Sequence, residues 1–218
     1  MPRFQRLVVP GFPHHVTQRG VRRQTTFFDE QDYRRYLNLA RDLLDGAAIE
    51  ILAYCLMPNH IHAVVVPEHD DSLANYFGPL HKRYAQHTNL RYEWAGHLWQ
   101  ARFYSVAMAA GHTLAAMRYV ELNPVRSGLV DLPEQWPWSS ARGNLGLVND
   151  VLVPARRAST IVEDWQEFLA VPESQTEITN IRRHTQTGRP DGDVSFINEV
   201  ESITGRRVRI RKPGRKRN

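Results

Sequence analysis

The order of apolar and polar positions predicts alternating strands and helices over the first 120 residues. Apolar residues spaced at i, i+3 and i+4 predict two helices, one capped by Asp29 and one beginning at residues 70–72. The order βαββαβ predicts an α+β fold of the ferredoxin-like, RRM-like kind, with a four- or five-stranded antiparallel sheet and helices on one face. β-Branched or alternating apolar runs predict the strands over residues 14–19, 48–56, 60–66 and 98–106.

Two prolines limit the predicted helices. Pro79 follows Gly78 inside the second helical pattern, which predicts a kink or a later helix start there. A third helix is predicted from about Thr113. It should kink or end at Pro124, because the residue before a proline disfavours the α-helical region.

The pattern changes after residue 140, where a loop and three short amphipathic segments follow the sheet domain. We therefore divide the chain into a sheet domain (1–145), a helical appendage (146–204) and a basic tail (205–218). The appendage is expected to pack on the sheet domain or on nucleic acid. Its helices are predicted over residues 160–171, 173–186 and 193–204.

Charge is concentrated at the C-terminus. The net charge is +5, but the tail holds eight Lys or Arg residues and no acid, so the other 204 residues carry −3. Such a density of positive charge predicts binding to a polyanion, with a solvated end that has no partner as the alternative.

Composition favours an ordinary globular protein, with 42% hydrophobic and 23% charged residues. No apolar run approaches the roughly 18 residues of a membrane span, so we expect a cytoplasmic protein without a membrane partner. The single cysteine, Cys55, excludes an internal disulfide and a cysteine metal cluster.

Two histidines begin the third predicted strand. His60 and His62 are two residues apart, and strand side chains alternate between faces, so both imidazoles should point to the same side. The pair is therefore either a two-ligand metal clip or the half-exposed polar face of a strand edge.

A second group of polar residues lies at the end of the third predicted helix. Tyr119 and Asn123 are four residues apart and share a helix face, with Arg126 nearby. A phenol, an amide and a guanidinium suit phosphodiester chemistry, although each is commonplace alone. Asn123 could instead cap the helix before Pro124.

These segments resemble the HUH single-tyrosine transposases, which are IS200-like, and among them the REP-associated tyrosine transposases. The resemblance covers roughly residues 8–145. One departure is Ala101, where relatives often carry glycine. The resemblance rests on Met-Pro-Asn-His-Ile-His-Ala-Val-Val (57–65), Trp-Gln-Ala-Arg-Phe-Tyr-Ser (99–105), Tyr-Val-Glu-Leu-Asn-Pro-Val-Arg-Ser-Gly-Leu-Val (119–130) and Trp-Pro-Trp-Ser-Ser (136–140).

The resemblance implies a reaction and a set of roles. Tyr119 would attack a phosphate in single-stranded DNA, form a 5′-phosphotyrosine and free a 3′-hydroxyl, and rejoining would need no ATP. His60, His62 and Asn123 would hold Mg²⁺ or Mn²⁺, although an imidazole pair alone also suits zinc, copper or nickel. The partner would be DNA with an imperfect palindromic hairpin, bound by a monomer or a homodimer.

Basic residues are candidates for DNA contact, and aromatic residues beside them could stack on unpaired bases. Arg19, Arg22 and Arg23 could instead line a solvated loop, and core packing explains most of the aromatic residues equally well. Two other functions stay open: a non-catalytic protein that binds hairpin DNA or RNA with a relic site, and a metal hydrolase that releases free 5′-phosphates. The candidate contacts are Arg19, Arg22, Arg23, Lys82, Arg83, Arg102, Arg126, Arg206, Arg207, Arg209, Arg211 and Lys212.

Overall fold

A four-stranded antiparallel sheet forms the centre of the protein in a computed structural model that describes residues 6–154 and 161–209. The strands lie in the order β2-β3-β1-β4, and the predicted α+β, ferredoxin-like architecture is confirmed. The strands are β1 (His14–Arg19), β2 (Ile49–Met57), β3 (His60–Pro67) and β4 (Tyr104–Ala107). The helices are α1 (Glu30–Asp42), α2 (Ser72–Arg91), α3 (Ala110–Glu121), α4 (Asn123–Arg126), α5 (Ala141–Asn144), α6 (Trp165–Ala170), α7 (Gln175–Thr187) and α8 (Val194–Thr204).

Helices cover both faces of the sheet. The two helices of the βαββαβ unit, α1 and α2, share one face, where Tyr36 and Tyr84 pack against Val16. Helices α3, α6 and α7 lie on the opposite face, where Met117 and Trp165 join the cluster around Val64. The expectation of helices on one face therefore holds for α1 and α2 only. The near-continuous apolar runs of β2 and β3 fit burial on both faces.

The predicted element bounds differ most at β4 and at the prolines. β4 begins at Tyr104, six residues later than predicted, because the predicted strand is interrupted after Trp99, which pairs with Gly20 as an isolated antiparallel bridge. Helix α2 starts at Ser72 and contains Pro79, so a later start was wrong. Helix α3 ends at Glu121, and Pro124 lies in the first turn of α4, as its lack of an N–H allows.

A short segment near the end of the predicted sheet domain extends the sheet beyond β2. The Leu56 N–H donates to the Trp138 carbonyl at 2.8 Å, and the Ser140 N–H donates to the Tyr54 carbonyl at 3.0 Å. This partial fifth strand accounts for the position of the Trp-Pro-Trp-Ser-Ser segment, and it brings α5 against the sheet.

The appendage packs on the sheet domain rather than standing apart. Helices α6 and α7 join the α3 side of the sheet, and α8 packs through Phe196 and Val200 against Leu7 and Val9. Asp191 pairs with Met108 just beyond β4, which places α8 past that edge. Within the described part of the chain, every helix is too short or too polar to cross a lipid bilayer.

Candidate active site

The turn between β2 and β3 holds the histidine pair in place. The Pro58 carbonyl accepts from the Thr26 N–H at 2.8 Å, and the Asn59 carbonyl accepts from the Gly20 N–H at 2.9 Å. A Cβ on Gly20 would clash with the Gln24 carbonyl oxygen, so glycine permits this close approach. The loop after β1 therefore clamps the turn that presents His60 and His62.

His60 and His62 lie on the same face of β3, as the alternation of strand side chains predicts. Their ring centroids are 4.9 Å apart and the rings are nearly perpendicular, at 80°. His62 is buried, whereas His60 is partly exposed. The pair is thus one compact group of two imidazoles at the end of a central strand.

Each imidazole has a hydrogen-bond partner at Nδ1. His60 Nδ1 lies 2.6 Å from Asn59 Oδ1, and the Asn59 amide nitrogen donates to the Arg23 carbonyl at 3.0 Å, which fixes its oxygen toward His60. His62 Nδ1 lies 2.8 Å from Nε2 of His15. Histidines that bind metals usually have such a partner on the other ring nitrogen, so this arrangement fits two ligands that act through Nε2.

His15 is a component of the site that the sequence analysis missed. In β1, Thr17 is directly opposite His62, so the alternation of side chains puts His15 on the same face. The His15 and His62 rings stack at 5.0 Å between centroids. The alternation of side chains along β1 contained this information, but its use required the register between β1 and β3.

Tyr119 faces the imidazoles from α3. Its ring centroid lies 5.8 Å from that of His62 and 6.1 Å from that of His15, both in edge-to-face geometry. The tyrosine is buried, because α3 packs its apolar side on β2 and β3. The sequence places Tyr119 nearly 60 residues after the histidines, and the fold brings them into one pocket.

Arg126 contacts both the ring and the backbone of Tyr119. Its guanidinium lies 4.0 Å from the centre of the Tyr119 ring, and Nη2 donates to the Tyr119 carbonyl at 2.7 Å. Its Nη1 pairs with Glu173, just before α7, and both side chains are largely buried. A DNA contact by Arg126 stays a prediction, while its geometry favours a role in holding Tyr119.

Burial keeps the imidazoles neutral at neutral pH. Burial is the main cause that lowers the pKa of His60 to about 3, with Arg19 as a second cause, and burial lowers the pKa of His15 to about 4. The pKa of His62 is lowered by burial first and then by His60 and other neighbours. Neutral imidazoles keep the lone pair that a metal ion needs.

A metal ion at this site would need donors other than acidic side chains. Among residues 6–154 and 161–209, no three His, Cys, Asp or Glu side chains are placed to hold one ion. Asn123 is buried, its Oδ1 accepts from the Ser127 hydroxyl at 3.4 Å, and its Nδ2 has no partner. The orphaned Nδ2 is a hydrogen-bond donor and suits an acceptor such as a phosphate oxygen, so the groups here that suit a metal ion are the two imidazoles, and ligation by the Asn123 oxygen stays a prediction.

The predicted basic residues fall into three places. Arg22 and Arg23 are exposed in the loop beside the histidine turn, and Arg19 lies opposite His60 in β1. Lys82 and Arg102 line a groove of about 800 Å³ beside α2, and Arg83 is exposed on α2. In the tail, Arg206 donates to the Arg6 carbonyl at 2.8 Å, Arg207 is exposed and Arg209 pairs with Glu201, while Arg211 and Lys212 lie outside the described residues.

Comparisons with known proteins agree with the resemblance in the sequence. A Haemophilus influenzae (strain ATCC 51907 / DSM 11121 / KW20 / Rd) protein named as a REP-associated tyrosine transposase is 30% identical over 128 residues, which is 53% of this chain and 66% of that relative. The REP-associated tyrosine transposase of Escherichia coli (strain K12) is 26% identical over 92 residues, which is 42% of this chain and 53% of that relative. The matched parts are thus less than two thirds of either relative.

A solved structure of a REP-associated tyrosine transposase bound to a REP hairpin has the same fold. It matches with a TM-score of 0.56 and 22% identity, and the match covers 70% of this chain and 90% of the other. The family profile described as Transposase IS200 like matches residues 10–123, more than half of the 218 residues. Because that range contains both the histidine strand and the tyrosine helix, the chain belongs to the IS200-like transposase family.

Proposed function

We propose that this protein cleaves and rejoins single-stranded DNA beside a hairpin, through a covalent bond between Tyr119 and a 5′-phosphate. The observation that carries the proposal is the approach of the Tyr119 ring to within 5.8 Å of His62, in a pocket where both histidines keep Nε2 available. Family membership supports the same reaction class.

Tyr119 is the proposed nucleophile. Its phenolic oxygen forms a bond to the scissile phosphorus, the bond to the 3′ oxygen breaks, the phenolic proton passes to solvent, and the leaving oxygen takes up a proton. A free phenol has a pKa near 10 and is a weak nucleophile at neutral pH, so the site must activate it or the phosphate. In the reverse step a 3′-hydroxyl attacks the phosphotyrosine and releases Tyr119.

His60, His62 and Asn123 are the proposed metal ligands, and Mg²⁺ or Mn²⁺ is the proposed ion. When bound, such an ion would polarise the phosphate and stabilise the charge that develops on its oxygens. The two imidazoles would supply Nε2 lone pairs, and Asn123 would supply its amide oxygen. Arg126 would hold the phenol ring at the pocket wall.

A hairpin in DNA is the proposed partner, since the solved relative is bound to one. Two basic regions support contact with a long substrate. Arg22 and Arg23 flank the histidine turn, and Lys82 and Arg102 line the groove beside α2. A positively charged groove that follows the phosphate backbone is typical of single-strand binding.

The second candidate function is a hairpin-binding protein without catalysis. The burial of Tyr119 favours it, because a nucleophile that DNA reaches must be exposed or become exposed. The two candidates differ in one measurable product, a covalent protein–DNA adduct.

The deciding experiment is an adduct assay with single-stranded oligonucleotides that carry hairpins from the organism's own genome, in Mg²⁺ or Mn²⁺. We expect the wild type to form an adduct that survives denaturation, Tyr119→Phe to form none, and both to bind the hairpin with similar affinity. Tyr92→Phe, which removes a phenol hydroxyl at the far end of α2, is the matched control and should keep the adduct. Cleavage without an adduct would indicate the metal hydrolase, and binding without cleavage would indicate the non-catalytic protein.

A further inference from the structure

A residue of the appendage reaches the candidate metal site through a chain of hydrogen bonds. The hydroxyl of Thr185, in the last turns of α7, lies 3.2 Å from Nδ1 of His15, and Nε2 of His15 lies 2.8 Å from Nδ1 of His62. Thr185 is separated from His15 by 170 residues, so the tertiary fold brings these two side chains together.

The positions of the protons follow from the first bond in the chain. The Thr185 hydroxyl donates to the Ile181 carbonyl at 2.7 Å, the usual bond of a helical threonine to the carbonyl four residues earlier. A hydroxyl has one hydrogen, so its oxygen must accept from Nδ1–H of His15. With its proton on Nδ1, neutral His15 accepts at Nε2 from Nδ1–H of His62. The lone pair of His62 is then on Nε2.

We propose that Thr185 and His15 are positioning residues that hold His62 with its proton on Nδ1, so that its Nε2 is always ready to bind a metal ion. This inference rests on the proposed function for the identity of the metal ligands. It adds that the appendage is a part of the site, since α7 supplies the hydroxyl that sets the direction of these hydrogen bonds.

The opposite arrangement of protons would leave His62 unable to bind a metal ion, which explains why this series of hydrogen bonds needs the Thr185 hydroxyl at its end. Without the Thr185 oxygen, Nδ1–H of His15 loses this hydrogen-bond acceptor, and His15 can carry its proton on Nε2 instead. It would then donate to Nδ1 of His62, and His62 would carry its proton on Nε2. A metal ion could bind there only after this proton had left.

Histidine tautomers can be measured by nitrogen-15 NMR on the full chain, without metal or DNA. In the wild type we expect His62 and His15 with their protons on Nδ1. Thr185→Val should convert a measurable fraction of His62 to the form with its proton on Nε2, and Thr185→Ser should keep the wild-type form. Thr179→Val, an exposed site on the same helix, is the matched control and should change nothing.

The result that overturns the proposal is a His62 tautomer that is the same in Thr185→Val and in the wild type, or one with its proton on Nε2 in the wild type. Neither outcome depends on whether Tyr119 cleaves DNA. A failed adduct assay would therefore overturn the proposed function while leaving this proposal to its own test.

Metal affinity gives a second readout. Titration of the DNA-free protein with Mn²⁺ should give a Kd about tenfold weaker for Thr185→Val, the lower end of the effect of an outer partner of a metal ligand. Thr185→Ser and Thr179→Val should stay within about twofold of the wild type. Equal Mn²⁺ affinities for Thr185→Val and Thr179→Val would contradict the proposal.

Discussion

At the scale of single residues, the candidate site is defined as much by the neighbours of the reactive groups as by the groups themselves. Tyr119 meets the His62 imidazole edge-to-face, and the Arg126 guanidinium lies over its ring. Arg126 is in turn held by Glu173, so a carboxylate just before α7 sets the wall behind the tyrosine. Loss of a group that fixes a reactant can slow a reaction without any change in its chemistry.

Glu173→Gln should therefore lower the single-turnover rate of adduct formation about tenfold, because Arg126 loses the charge that holds it over Tyr119. Hairpin affinity should change little, since Glu173 is not a predicted DNA contact. The rate is measured with enzyme in excess over a labelled oligonucleotide, at a temperature where every variant is folded.

Glu177→Gln is the matched control for that change. Glu177 also joins α7 to α3, through Arg118 at 3.0 Å, but the Arg118 guanidinium lies over the Phe168 ring, whereas that of Arg126 lies over the Tyr119 ring. A rate within about twofold of the wild type is expected. Equal losses in the two variants would mean that Glu173 acts only by attaching the appendage.

The sequence predicted the site residues whose relative positions are set within a single strand or by a recognisable motif. The period of a strand put His60 and His62 on one face, and the motif segments pointed to Tyr119. His15, Glu173 and Thr185 could not be predicted in the same way, because their roles depend on which strand or helix lies next to which. Local spacing carries no information on that.

At the scale of elements, a buried carboxylate attaches α3 to the segments that follow it. Glu121, at the end of α3, accepts from Ser140 and Asn144, each at 2.6 Å, and from Trp165 at 2.7 Å. These three donors come from the end of the partial fifth strand, from α5 and from α6. Glu121 is thus the point where the tyrosine helix meets the appendage.

Burial raises the pKa of Glu121 to about 7, although its three hydrogen-bond donors oppose the shift. Between its ordinary pKa and this value, folded Glu121 binds a proton that the unfolded chain has lost, so its contribution to stability falls as the pH rises through this window. The full effect is about 3 kcal/mol. Buried histidines with lowered pKa values, such as His15, contribute stability that rises with pH. Measurements on the wild type alone would therefore hide the contribution of Glu121.

Comparison with Glu121→Gln isolates this contribution, because glutamine does not titrate. The difference in unfolding free energy between wild type and Glu121→Gln should become less favourable to the wild type from pH 5 to pH 8. Urea unfolding at several pH values, without metal or DNA, measures it. A difference independent of pH would show that the carboxyl group titrates normally.

Prediction of the elements themselves succeeded where apolar periodicity was long and failed where packing decides. Strands β1 to β3 and helix α1 lie within a residue or two of their predicted starts. β4 is shorter than predicted, since Trp99 pairs with Gly20 as an isolated antiparallel bridge and the predicted strand is interrupted between Trp99 and Tyr104. Pro79 lies inside α2, because the packing of the helix on the sheet outweighs the loss of one hydrogen bond.

At the scale of the whole molecule, positive charge is present on both sides of the sheet. The loop with Arg22 and Arg23 adjoins the histidine pair on one face, whereas the groove with Lys82 and Arg102 adjoins α2 on the other. Arg6 lines this groove and contacts Arg206 at the start of the tail. In the proposed complex a hairpin with a single-stranded flank would contact both regions, and the basic side chains would release counterions from its phosphates.

Replacing both Lys82 and Arg102 with Ala should weaken hairpin binding and reduce the slope of log K against log salt by about one for each phosphate that is no longer neutralised. At saturating DNA the rate of adduct formation should stay unchanged, because the groove is on the sheet face away from Tyr119. Replacing Arg34 and Arg41, whose exposed side chains on α1 already pair with acids, removes the same charge and is the matched control. Both double variants change the net charge of the protein equally. If they lower the salt slope to the same extent, the effect comes from the overall electrostatic field of the protein, and the groove has no part in holding DNA.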